Sequence, residues 1–155
     1  MPNLTLHTQI AADHSRCFDL ARDLDLHKQT LAHTHEQAIA GRTSGLIELG
    51  EEVTWRGKHL GLYHTHTAKI TQYDRPRHFR DEMIHGRFKT FIHDHHFEPY
   101  ENGTRMTDIL VFTSPFGLLG TLVDALVLKR YLRNLLLVRA TLICQVAESS
   151  QNMTK

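Results

Sequence analysis

His64 and His66, and again His93 and His95, stand two residues apart in segments where polar and apolar residues alternate. On a strand, that spacing puts both imidazoles of a pair on one face, about 7 Å apart. Imidazoles beside a carboxylate support three chemistries: ligation of a borderline metal such as zinc, proton transfer on a bound carbonyl compound, or hydrogen bonding inside a polar-lined cavity. Asp81 and Asp108 are the carboxylates in reach under the strand pairing derived below. No HExxH and no cysteine-rich zinc pattern occurs, which favours the cavity reading, with no metal and no cofactor expected. Cys17 and Cys144 look like small apolar helix residues rather than nucleophiles, so no catalytic residue is assigned.

These groups must be positioned by strands. Leu4 to Ile10 alternates as a half-buried strand, and Asp13 or Ser15 is placed to cap a helix carrying Cys17, Phe18 and Ala21 on one face. A second short helix covers Asp23 to Leu31. Beyond Gln37 the chain is extended, and after the Gly41 to Gly50 stretch five strands follow: Glu52 to Lys58, Leu62 to Tyr73, Phe79 to His85, Lys89 to Tyr100 and Thr104 to Thr113. Ser114-Pro115 ends the strands. From Phe116 to about Glu148 the spacing is helical, a rod of roughly 50 Å at 1.5 Å per residue. The expected fold class is α+β: about seven antiparallel strands in a curved sheet that wraps the one helix long enough to cover it, with two short helices after strand one.

Hairpin arithmetic assigns the inner face. With Asn102-Gly103 as a two-residue loop, Phe97 opposes Asp108, His95 opposes Leu110 and His93 opposes Phe112, and opposed residues share a face. With His59-Leu60 as a turn, Trp55 opposes His64 and Val53 opposes His66. Asp81 and Met83, together with Phe79 and His85, join this face if Ala68 opposes Asp81. Arg139 lies amid Leu132, Leu135, Leu136, Leu142, Ile143 and Val146 on the helix, where a guanidinium needs a carboxylate or an anionic ligand. Asp81 and Asp108 are its expected partners. Trp55 is expected as core or cavity wall.

The chain of 155 residues carries 18 basic and 17 acidic side chains and a net charge of +1. That leaves no field for nucleic acid or an anionic membrane. One domain over residues 1–148 is expected, followed by a polar tail over residues 149–155. Two cysteines without a disulfide framework suit a reducing cytoplasm. No signal peptide or membrane span is expected. The apolar window Phe116 to Leu128 reads as a buried helix start, or else as a contact surface for a second subunit, a protein partner or a membrane.

The order of elements resembles the START-like superfamily, also called SRPBCC, which includes polyketide cyclase/dehydrase-like proteins with a helix-grip fold. Val53-Thr54-Trp55, Phe79-Arg80-Asp81-Glu82, His93-Asp94-His95-His96-Phe97, the Gly103 to Asp108 run and Ser114-Pro115-Phe116-Gly117 look like a bacterial branch of it that includes stand-alone proteins labelled cell-division inhibitors. The resemblance implies a cavity between sheet and C-terminal helix for a lipid, quinone or polyketide-like molecule. Val53, Trp55, His64, His66, Asp81, Met83, His93, His95, Phe97, Asp108, Leu110, Phe112 and Arg139 are its expected ligand-binding residues. A cyclase or dehydrase-like enzyme using the same His and Asp groups is the alternative, and a regulatory role through a protein partner is the third reading.

Overall fold

The computed structural model describes residues 2–149. Seven strands form one antiparallel sheet: β1 (Asn3–Ile10), β2 (Gln37–Gly41), β3 (Glu52–His59), β4 (Leu62–Asp74), β5 (His78–His85), β6 (Thr90–Tyr100) and β7 (Gly103–Thr113). Their spatial order is β1-β7-β6-β5-β4-β3-β2. Helices α1 (His14–Ala21) and α2 (Leu24–Thr30) bridge the two edge strands. The Asp13 carboxylate caps α1 by accepting from the Ser15 N–H, and Asp23 caps α2 by accepting from the Asp25 and Leu26 N–H groups. The α+β helix-grip architecture is the one the alternation pattern implies.

The C-terminal helix is not one uniform rod. Residues 117–149 run as α3 (Gly117–Val123), a π-helical stretch over Asp124–Leu128, and α4 (Lys129–Ser149). Buried Leu132, Leu136, Arg139, Ala140, Ile143 and Ala147 form the stripe of α4 that covers the sheet. The expected tail beyond Ser149 lies outside the described residues. The expectation of a buried helix start fails. Leu118 is 92% exposed and Phe116 is 70% exposed, and Leu119, Leu122 and Leu126 are exposed with them. An all-round apolar pattern reports burial only when another element stands opposite, and here α3 projects past the sheet-facing stripe.

Both hairpins close two residues away from the expected register. Tyr100 pairs with Gly103, so Glu101 and Asn102 form the loop, with Glu101 at φ +52°. Gly103 is already strand. A Cβ there would collide with the Ile10 carbonyl at the end of β1, so the glycine serves a close approach of backbones rather than the turn. Likewise His59 pairs with Leu62, and Leu60 and Gly61 make the turn, both with positive φ. The pairs are therefore His95 with Asp108, His93 with Leu110, Trp55 with His66 and Ile70 with Asp81. A shift of two leaves every side chain on its expected face. Irregular pairing around Thr67 and Ala68 leaves His85 exposed instead of inward.

Candidate functional site

Between the sheet and α4 lies a cavity of about 700 Å³, within the size range of small-molecule sites. Its middle is apolar: Val53, Trp55, Ile70, Leu110, Leu132 and Leu136 all line it. Polar side chains gather at two places on its wall.

The first place is where β5, β6 and β7 face Arg139. Asp108 is fully buried, and its Oδ1 accepts from His93 Nε2 at 2.9 Å and from the Arg139 guanidinium at 3.3 Å. His95 Nδ1 approaches the same oxygen at 3.1 Å, while His95 Nε2 meets Asp81 Oδ2 at 2.7 Å. Arg139 also donates to the Ala21 carbonyl at 2.7 Å. Phe79 stacks on the His95 ring at 4.2 Å, and the His93 and His95 ring centroids are 3.7 Å apart.

Burial alone would lower the pKa of His95, but its contacts with Asp108 and Asp81 outweigh that and raise it. His93 goes the other way, lowered by burial and by the neighbouring His95. Burial would raise both carboxyls, yet the histidines and Arg139 hold Asp108 well below the usual range and Asp81 below it as well. Two carboxylates thus face one guanidinium and two imidazoles, and Arg139 has Asp108 as its counter-charge. Asp81, His93 and His95 offer ligand atoms within 4.8 Å of one another. The contacts they make with each other and with Asp108 occupy Asp81 Oδ2 and the Nε2 atoms of both histidines. A divalent cation there would have to displace those contacts beside Arg139.

The second place was not legible in the sequence. Glu36, just before β2, takes His27 Nε2 of α2 at 3.3 Å and His59 Nε2 of β3 at 3.4 Å. His59 Nδ1 lies 2.8 Å from the Tyr131 hydroxyl on α4. Burial would raise the Glu36 carboxyl, but the two histidines bring it down to about 2. Tyr131 is raised by burial and by Glu36. His27 also lies against Trp55, with ring centroids 4.4 Å apart. Gly57 makes room for the group: a Cβ there would press on His59 Nε2 at 3.2 Å and on Glu36 at 3.3 Å. A glycine inside a strand was the one available signal of a close approach.

Of the expected site residues, Val53, Trp55, His64, His66, Asp81, His93, His95, Leu110 and Arg139 line the cavity. His64 and His66 are half-buried, and burial lowers both. They stand on β4 away from the His93 and His95 pair: His64 contacts the His59 carbonyl and His66 packs edge-on against Phe91. Four expected residues do not form its wall. Phe97 and Phe112 are core, Met83 lies over Gly86, and Asp108 sits behind His93 and His95, which it orients. Asp94 and His96 belong to the opposite face, where the Arg80 guanidinium and His78 hold Asp94.

No family model matches the chain, and no curated protein matches it. Solved structures do. Protein TTHA0849 from Thermus thermophilus aligns with a TM-score of 0.73 at 20% identity, over 94% of this chain and 99% of that one. Protein Ms6760 from Mycobacterium smegmatis gives 0.71 at 16% identity, over 96% and 92%. Ginseng major latex-like protein 151 from Panax ginseng gives 0.71 at 14% identity, over 94% and 97%. At such identities the likeness speaks for the fold. The chain has the helix-grip fold that these solved structures share.

Proposed function

We propose that this protein binds a small, largely apolar molecule in the cavity between its sheet and α4, in the manner of a carrier or sensor. The observation that carries the reading is the roughly 700 Å³ cavity with an apolar middle and hydrogen-bonding side chains placed on its wall. A lipid, quinone or polyketide-like compound suits that lining, with His93, His95, Asp81 and Arg139 meeting its polar group. Arg139 already has Asp108 as its counter-charge, which favours a neutral polar group over a carboxylate.

Trp55 reports on occupancy, being the one tryptophan of the chain and part of the cavity wall. Titration with decanol or Nile red should shift its emission saturably. Native mass spectrometry of the purified protein should retain a small organic ligand that solvent extraction removes. An unchanged Trp55 spectrum with every apolar probe, together with no co-purifying molecule, would sink the proposal.

One observation favours acid–base catalysis as a second reading. His95 lies between the carboxylates of Asp81 and Asp108 in the cavity region, and they raise its pKa, which suits a proton donor. A cyclase or dehydrase-like reaction would use it on a ligand carbonyl. We place the chain, from the motifs at 53–55, 79–82, 93–97, 103–108 and 114–117, in the bacterial branch of the superfamily, as one domain over residues 1–148 acting in the cytoplasm. No described helix is long and apolar enough to cross a membrane.

The exposed apolar side chains over residues 116–128 suit a second copy of this chain as their cover. Sedimentation velocity should show a concentration-dependent dimer that Leu118→Glu abolishes. A wild-type protein that stays monomeric at every concentration removes this part of the proposal.

A further inference from the structure

We propose that the ligand carries two neutral hydroxyl-type groups, one at each end of an apolar body, and that Glu36, His59 and Tyr131 receive the second of them. This rests on the cavity-binding reading and adds the class of molecule. Glu36, His59 and Tyr131 line the same cavity as Asp81 and Arg139. They come from separate elements, so their convergence is a product of the fold. Tyr131 and Arg139 stand eight residues apart on α4, which is about 12 Å along the axis. Leu132, Leu135 and Leu136 line the stretch between them.

The chemistry of the relay sets what it accepts. Glu36 stays ionised and faces the Nε2 atoms of His27 and His59. His59 Nε2 faces Glu36, and its Nδ1 lies 2.8 Å from the Tyr131 hydroxyl. The phenol spends one hydrogen-bonding position on His59 and keeps another for a hydroxyl in the cavity, which can donate or accept. At the far end Asp81 commits Oδ2 to His95 and leaves Oδ1 as an acceptor. A hydroxyl on the ligand suits both ends, and the carboxylate that each end already holds disfavours another. An apolar diol or diphenol long enough to run along about two turns of α4 meets both.

Decanol and its α,ω-diol distinguish this from simple apolar binding. A second hydroxyl buried without a partner weakens binding, so the sign of the difference decides. The expected result by calorimetry is a diol bound about fivefold tighter than decanol, a ratio that drops to one or below in Tyr131→Phe. Each ratio is taken within one protein, and the melting temperature confirms that the variant folds. His59→Gln should lower the ratio in the same direction. A wild-type diol that binds more weakly than decanol overturns the two-ended ligand while leaving the cavity reading intact. A gain that survives in both variants overturns the role of the relay. If neither alcohol binds, the cavity reading falls and takes this inference with it.

Discussion

Replacing Asp108 with alanine should cost about 3–5 kcal/mol of folding stability, read from urea denaturation, because it strands Arg139 as a buried cation without its counter-charge. Asp108 is 0% exposed and touches His93, His95 and Arg139 at once. Asp108→Asn should lose less, since an amide oxygen still accepts a hydrogen bond. The double variant Asp108→Ala with Arg139→Met should recover part of the loss, as removal of both partners leaves no buried orphan. A single-variant loss under about 1 kcal/mol would mean that the cluster does not hold the fold.

The same cluster sets a pH dependence whose sign follows from the directions of the shifts. Asp108 and Asp81 are depressed, so their contribution is present above the ordinary carboxylate range and is lost as pH falls through their folded values. His93 and His66 are lowered, so stability is also lost as pH drops from 6.5 toward their folded values. His95 is raised, and its contribution is complete below 6.5 and lost as pH rises through its folded value. Stability should therefore peak near pH 6.5 and decline on both sides. In Asp108→Asn the alkaline decline should shrink, because His95 loses one of the groups that raise it.

Phe18→Ala should destabilise the protein by about 3–5 kcal/mol and weaken ligand binding as well. Phe18 is 0% exposed, and it meets Tyr73, Phe79 and Phe97 edge-to-face at 5.4, 5.2 and 5.4 Å. Phe79 in turn stacks on His95. A cavity opened at Phe18 thus removes the backing of the ring that positions His95. Decanol affinity and urea midpoint should fall together in Phe18→Ala. In Phe18→Leu, which refills most of the volume, both should recover in large part. A loss of stability with binding unchanged would show that the aromatic cluster supports the fold alone.

The sequence by itself determined the inward direction of the strand side chains at the site, though not that of His85. Alternation on a strand has a period of two, so His93, His95, Asp108, Val53 and Trp55 had their direction settled locally. That parity also survived the two misplaced turns, since sliding a pair by two residues moves no side chain to the other face. The partners themselves did not follow. Gly103 belonged to β7 because the backbone of β1 comes close to it, and β1 lies about a hundred residues earlier in the chain, as its contact of His7 with Thr107 shows. Arg139 announced itself as a cation in an apolar stripe, and the need for a counter-ion pointed to Asp81 or Asp108, between which the packing chose Asp108. Nothing local announced Glu36. Its partners sit on α2 and β3, and the relay runs on to α4 through His59 and Tyr131, which are 72 residues apart. Hydrogen bonds between distant elements leave no periodic trace, so only the packing of the helix across the sheet brought that relay together. The exposure of α3 was decided the same way: apolar residues record a preference for burial, and tertiary structure determines whether there is anything to be buried against.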